Sequence, residues 1–77
     1  MPGDDLVEER LLSLTYTERR EVQSRLTLLG YSTWGVDGVF GRTTRRALAA
    51  WQRDEGLRAS GYFTADQVRA MRRQTGG

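Results

Sequence analysis

Two stretches of this chain align with one another at a fixed offset, and that repetition constrains the fold more than any other feature. Val36-Asp37-Gly38-Val39-Phe40 aligns with Ala59-Ser60-Gly61-Tyr62-Phe63, 23 positions later. The same offset carries on downstream, pairing Ala47 with Ala70 and Leu48 with Met71. Two copies are too few for a solenoid, which needs at least about three units to bury its open faces. They predict instead two loop-helix units packed on each other with pseudo-symmetry. The 77 residues give room for one domain, and a chain of this size buries only about 60% of its unfolded surface. There is no Cys and no His, so neither a disulfide nor an obvious structural zinc site is available to staple it. Helix packing around a compact apolar core has to carry the stability.

Four helical patterns are predicted. The first runs from about Asp5 to Leu14, with Val7, Leu11 and Leu14 on one stripe that would pack across the bundle and with Asp4 and Asp5 at its positive end. The second spans about Tyr16 to Leu29. Thr15 and Glu18 form an S/T-x-x-E capping box for it, Val22, Leu26 and Leu29 make its apolar stripe, and Gly30 supplies a left-handed stop. Glu21 and Arg25 are a favourable i,i+4 pair expected on its wet side. The third runs from Arg42 to Asp54, with Thr44, Ala47, Leu48 and Trp51 on one side. Arg42, Arg45, Arg46 and Arg53 lie within roughly a 100° arc on the other. The fourth, about Ala65 to Arg73, opens with a second capping box, Thr64 and Gln67, and points Val68 and Met71 inward. The ends, Met1-Pro2-Gly3 and Thr75-Gly76-Gly77, read as loose termini.

Composition removes several function classes. Twelve basic and ten acidic residues leave a net charge of only +2, and every base is Arg. No apolar run is long enough to span a membrane. The opening Met1-Pro2-Gly3-Asp4-Asp5 lacks the charged and apolar regions of a signal peptide. The expectation is therefore a cytosolic protein or one domain of a longer exported chain. Without His or Cys, neither a Ser-His-Asp nor a Cys-His arrangement exists. A carboxylate pair drawn from Asp37, Asp54 and Glu55 remains formally possible for glycoside cleavage, but so small a bundle offers little cleft to exclude water. The Arg-rich third helix raises a DNA-reading module. Against it, acidic residues are interspersed, and more than ten residues separate the second and third helices.

The ordered set of motifs resembles the peptidoglycan-binding domain family of bacterial cell-wall enzymes. It consists of Val22-Gln23, Leu29-Gly30-Tyr31, Asp37-Gly38-Val39-Phe40-Gly41, Thr44, Trp51-Gln52 and Gly56-Leu57, closed by Ser60-Gly61-Tyr62-Phe63-Thr64 with Val68 and Met71. The resemblance covers about Arg19 to Met71 and implies an all-α, three-helix bundle preceded here by an additional N-terminal helix. Arg42 stands where the family often has Pro, and Ser60 where it often has Asp or Thr. The implied organisation is a tail and accessory helix over residues 1–14, the domain over 15–73 and a short tail over 74–77. The implied function is non-catalytic attachment of a larger exported protein to peptidoglycan in the periplasm or cell envelope, with no metal or cofactor. Such domains accompany amidases, lytic enzymes and proteases, so no attached activity follows. The alternative is a protein-interaction or targeting module built on the same bundle.

Residue by residue, most of the motif reads as structural. Trp51 belongs to the core, Gln23 and Gln52 are expected to bond loop backbone, Gly38 serves a tight turn, and Phe40 and Phe63 anchor their loops. Asp37 suits either a turn-stabilising acceptor or a partner for a sugar hydroxyl. Trp34 lies outside every helical stripe and either stacks on a sugar face or folds over the core as a lid. Tyr31 and Tyr62 share that ambiguity. The Arg stripe is either a solvated face or an attraction for anionic wall material, with Arg42 the best placed near the helix N-terminus. The candidate ligand-binding set is thus Tyr31, Trp34, Asp37, Gly38, Arg42 and Tyr62.

Overall fold

Helix boundaries fall where backbone caps are available. The computed structural model describes the backbone of residues 2–76 and the side chains of residues 6–76. The described residues form α1 (Pro2–Leu11), α2 (Tyr16–Leu28), α3 (Arg42–Asp54) and α4 (Ala65–Gln74), with no strand among them. Both expected capping boxes are present. Thr15 and Glu18 satisfy each other's backbone N–H groups at 3.1 and 3.0 Å, and Thr64 and Gln67 do the same at the start of α4. Such a cap contributes about 1 kcal/mol. α2 and α3 end in the same closure. The N–H of Tyr31 bonds the Leu26 carbonyl at 2.9 Å, and that of Leu57 bonds the Gln52 carbonyl at 2.8 Å, the six-to-one bond of a Schellman stop.

α2 packs against both α3 and α4. The core is Val22 and Leu26 of α2, Ala47, Leu48 and Trp51 of α3, Phe63 of the second loop, and Val68 and Met71 of α4. The Trp51 indole N–H donates to Gln74 Oε1 at 2.9 Å, so even this large ring is buried without an unpaired donor. The fold is all-α, as expected.

The first helix departs from the expected reading. It starts at Pro2 and stops at Leu11, three residues short of the predicted Leu14. Ser13 then adopts a φ of 48°, which breaks the 3.6-residue period. Val7 and Leu11 are 55% and 78% exposed, and Leu12 packs against the core instead. What fixes α1 is polar. Glu9 Oε2 accepts the Phe63 N–H at 2.7 Å and Arg45 Nη1 at 2.6 Å, with its side chain 10% exposed. The side chains of Asp4 and Asp5, expected at the helix's positive end, lie outside the described residues. The supposed loose ends are also partly ordered: Pro2 and Gly3 belong to α1, and Thr75 caps α4. Glu21 does pair with Arg25 at 3.0 Å, but both are half-buried, and the same carboxylate oxygen takes Arg72 of α4 at 3.0 Å. That pair is a tie between helices rather than a wet-side ornament.

Candidate functional site

The internal repeat resolves into two copies of one device, a buried glutamine gripping a glycine loop. In the first, Gln23 Oε1 accepts the N–H groups of Asp37 and Gly38 at 3.1 and 2.8 Å. Its Nε2 donates to the Val39 carbonyl at 2.9 Å, Thr44 Oγ1 at 3.1 Å and Asp37 Oδ1 at 3.2 Å. In the second, Gln52 Oε1 accepts the Gly61 N–H at 2.9 Å, and Nε2 donates to the Tyr62 carbonyl and Gln67 Oε1, each at 2.9 Å. The gripped positions keep the 23-residue offset, Gly38 with Gly61 and Thr44 with Gln67. The glutamines do not: Gln23 stands 15 residues before its glycine and Gln52 only 9 before its own. The first unit therefore holds six extra residues, split between a longer helix and a longer loop. Gly38 needs its freedom twice over, since φ is 79° and an added Cβ would lie 2.9 Å from the Tyr16 ring.

That longer loop carries Trp34. Around it the chain is tied down: Thr33 Oγ1 donates to the Gly35 carbonyl at 2.8 Å, and Ser32 Oγ accepts the Trp34 N–H at 3.3 Å. Asp37 Oδ1 accepts the Val39 N–H at 2.9 Å, an Asx-type turn. This bond and the Gln23 amide hold the Asp37 carboxyl below the usual carboxylate range. Trp34 has a φ of 60° and is 87% exposed. It is not a lid on the core. Tyr31 packs partly into the core and donates its hydroxyl to Asp54 Oδ2 at 2.5 Å, a bond that raises the phenol's pKa.

Trp34 divides two shallow grooves. One, of about 500 Å³, lies between Tyr31 and Trp34 over Thr43, Arg46, Ala47 and Ala50 of α3. The other, of about 220 Å³, runs from Trp34 past Asp37 to Arg42. The fold thus brings together Tyr31, Trp34, Asp37 and Arg42 of the expected set. It places the other two elsewhere. Gly38 is buried beneath Tyr16, and Tyr62 lies under the Arg45 guanidinium, 4.4 Å from ring centre to Cζ. Arg45 leaves the solvated stripe for the ion pair with Glu9, while Arg42, Arg46 and Arg53 are exposed. The groove floor of Thr43, Arg46, Ala47 and Ala50 was overlooked in the sequence, although its i, i+3, i+4, i+7 spacing marks one helix face.

Residues 15–71 match the family model of the peptidoglycan binding domain. The chain belongs to the peptidoglycan-binding domain family. Over 50 residues this peptidoglycan-binding domain is 42% identical to the N-acetylmuramoyl-L-alanine amidase CwlM of Mycobacterium tuberculosis, a stretch covering 65% of the chain and 12% of the amidase. Its fold is similar to that of SltB3 from Pseudomonas aeruginosa, solved in complex with NAG-anhNAM-pentapeptide, with a TM-score of 0.71 and 35% identity. That similarity covers 74% of this chain and 15% of SltB3. The domain thus corresponds to a small part of each longer protein, and α1 precedes the range that the family defines.

Proposed function

We propose that this domain is a non-catalytic module that holds a larger envelope protein on peptidoglycan, with Trp34 and its two grooves as the ligand surface. The carrying observation is an indole left 87% exposed on a loop that Gln23 and the Thr33 hydroxyl hold in place. Burying a large ring in a complex releases a strong apolar driving force, and a pre-ordered loop loses little entropy in doing so. The indole offers a flat apolar surface to a pyranose face. Arg42 and Arg46, one beside each groove, suit the carboxylates of a stem peptide. The size of the relatives supports attachment to a longer chain, and with it a location in the periplasm or cell envelope.

The side-chain chemistry of the chain supports a non-catalytic role. The chain has no His or Cys, and a glycosidase acid needs a raised carboxyl pKa. Here Glu18 is lowered by its bonds to Thr15, and Asp37 by Val39 and Gln23. Partial burial pushes Glu21 up, but bonds from Arg25 and Arg72 outweigh it and leave its pKa lowered.

The test is co-sedimentation with protein-free sacculi at low and moderate salt. The wild type should be retained, and a folded Trp34→Ala variant should bind about tenfold more weakly or worse, as for other central aromatic anchors. No retention at either salt would sink the wall-binding reading. Release of soluble fragments from labelled sacculi by the purified domain would sink the non-catalytic one.

A further inference from the structure

One carboxylate oxygen latches α1 to the bundle. Glu9 Oε2 accepts the Phe63 N–H at 2.7 Å and Arg45 Nη1 at 2.6 Å. Apolar anchorage of the helix is slight, because Val7 and Leu11 face solvent while Leu12, just past its end, packs against the core. The connector then passes through Ser13 at a φ of 48°, a left-handed backbone that is strained for a non-glycine residue. The two donors, by contrast, are held in place without Glu9. Arg45 lies over the Tyr62 and Phe40 rings, 4.4 and 5.4 Å from their centres, and also donates to the Gly61 carbonyl at 3.1 Å. Phe63 is fully buried in the core, directly before the Thr64 cap of α4. Both donors fall within residues 15–71, the range that the family defines, whereas Glu9 precedes it. The bundle thus carries a preformed two-donor cradle, and α1 supplies its occupant.

We propose that α1 is an autoinhibitory strap over a docking site for a protein partner, which displaces Glu9 and sets an acidic side chain of its own in the cradle. Lifting the strap leaves a backbone N–H and a guanidinium unpaired at the edge of the core, a loss that a new acceptor offsets. A carboxylate suits two convergent donors, one of them charged, and the present occupant is itself a glutamate carried on a helix. The surroundings favour an acidic partner as well. Arg19 and Arg45 are the charged side chains that the described bundle contributes to the adjoining pocket. Glu9 competes from the same chain, at a high effective concentration. The partner therefore meets a closed site until α1 lifts, and its apparent affinity is scaled down by the open fraction. Neither Trp34 nor Tyr31 lines that pocket, so the strap stands independently of the wall-binding surface.

Two measurements on the full 77-residue chain test this. In native-state hydrogen exchange, the Phe63 amide should exchange at least about tenfold faster than that of Leu48 in α3, because the strap opens without unfolding the core. The second is an NMR titration with acetyl-glutamate amide, whose one carboxylate is its side chain, beside acetyl-glutamine amide. The acid should shift the Phe63 amide signal of Glu9→Ala and bind this variant at least about tenfold more tightly than the wild type, where Glu9 competes. Acetyl-glutamine amide should bind Glu9→Ala about tenfold more weakly than the acid, and adding Arg45→Gln should weaken the acid by a similar factor. Phe63 exchange as slow as that of Leu48, equal binding of the two probes, equal binding to wild type and Glu9→Ala, or no shift with either probe would each overturn the proposal. The exchange measurement decides if Glu9→Ala fails to fold. Loss of Phe63 protection when the wild type binds sacculi would give the cradle to the wall and overturn the protein-partner assignment.

Discussion

Gln23→Glu isolates the hydrogen bonding of the first clamp, because it changes no volume and leaves one oxygen where Oε1 stood. The other end of the side chain turns from a donor into an acceptor. Nε2 now faces the Val39 carbonyl at 2.9 Å, Thr44 Oγ1 at 3.1 Å and Asp37 Oδ1 at 3.2 Å. Two N–H donors are shared among these three acceptors, so about two bonds at about 1 kcal/mol each, ~2 kcal/mol, are lost before any charge is counted. An ionised carboxylate buried beside Asp37 adds repulsion, so about 3–5 kcal/mol at neutral pH is expected. At about 0.05–0.15 kcal/mol per residue, a chain of this length holds ~4–12 kcal/mol in all, so the variant should lose from about a quarter to all of its stability. Acid should partly rescue it. The new carboxyl has its folded pKa raised by burial and like charge, so its neutral form predominates below the unfolded value near about 4.3 and donates one bond again. Urea unfolding followed by circular dichroism, at neutral pH and at about pH 4, checks this against the wild type under the same conditions. A neutral-pH loss under about 1 kcal/mol, or a loss that does not shrink with acid relative to the wild type, would refute the assignment of Gln23 as the loop's organiser.

Three further outcomes follow from the same geometry. Trp34→Gly should melt about 4–8 °C above Trp34→Ala, since the left-handed backbone at that position costs an L-residue about 1 kcal/mol, yet both variants should lose wall retention. Comparing their melting curves with their sacculus sedimentation separates stability from recognition. Glu9→Ala should destabilise by about 2–3 kcal/mol, somewhat below the full value for a broken buried pair because Arg45 keeps some solvent. It should also expose the Leu12–Thr15 connection to limited proteolysis. Asp37 has its folded pKa lowered from 3.8, so its contribution is present above that value and fades as pH falls through the folded one. Asp37→Asn should flatten that part of the acid limb of a stability-against-pH curve, leaving the parts due to Glu18 and Glu21.

Much of this fold was legible because its signals are local. Thr15 with Glu18 and Thr64 with Gln67 meet within one helical turn, and the α3 stripe of Thr44, Ala47, Leu48 and Trp51 is a clean period of 3.6. The shared spacing of the two glycine loops marks what the clamps hold, although Gln23 and Gln52 themselves do not keep it. What failed was non-local. Nothing near Glu9 indicates that it bonds the Phe63 backbone 54 residues away, so the helical period alone points to the Val7 and Leu11 stripe, whereas Glu9 turns a different face of α1 to the bundle. The pairing of Arg45 with Glu9 is equally invisible in the α3 stripe, where Arg45 falls beside exposed arginines. At the site, sequence could single out Trp34 as belonging to no stripe but left open which way it points. Its exposure rules out the lid, and the α3 face beside it sets Arg46 by one groove as Arg42 stands by the other.

The unequal spans of the two clamps have a consequence for how such a chain can change. Each glutamine fastens its loop at one fixed knot, and what lies between the helix end and that knot is slack. Extending a closed segment from 9 to 15 residues adds only about 0.5 kcal/mol of closure entropy. The shorter arm shows that the knot closes without the extra length. The segment bearing Trp34 is therefore a cassette: its contents can be rewritten, lengthened or trimmed while the bundle beneath is untouched, so the sequence of this stretch can drift much faster than the architecture that carries it.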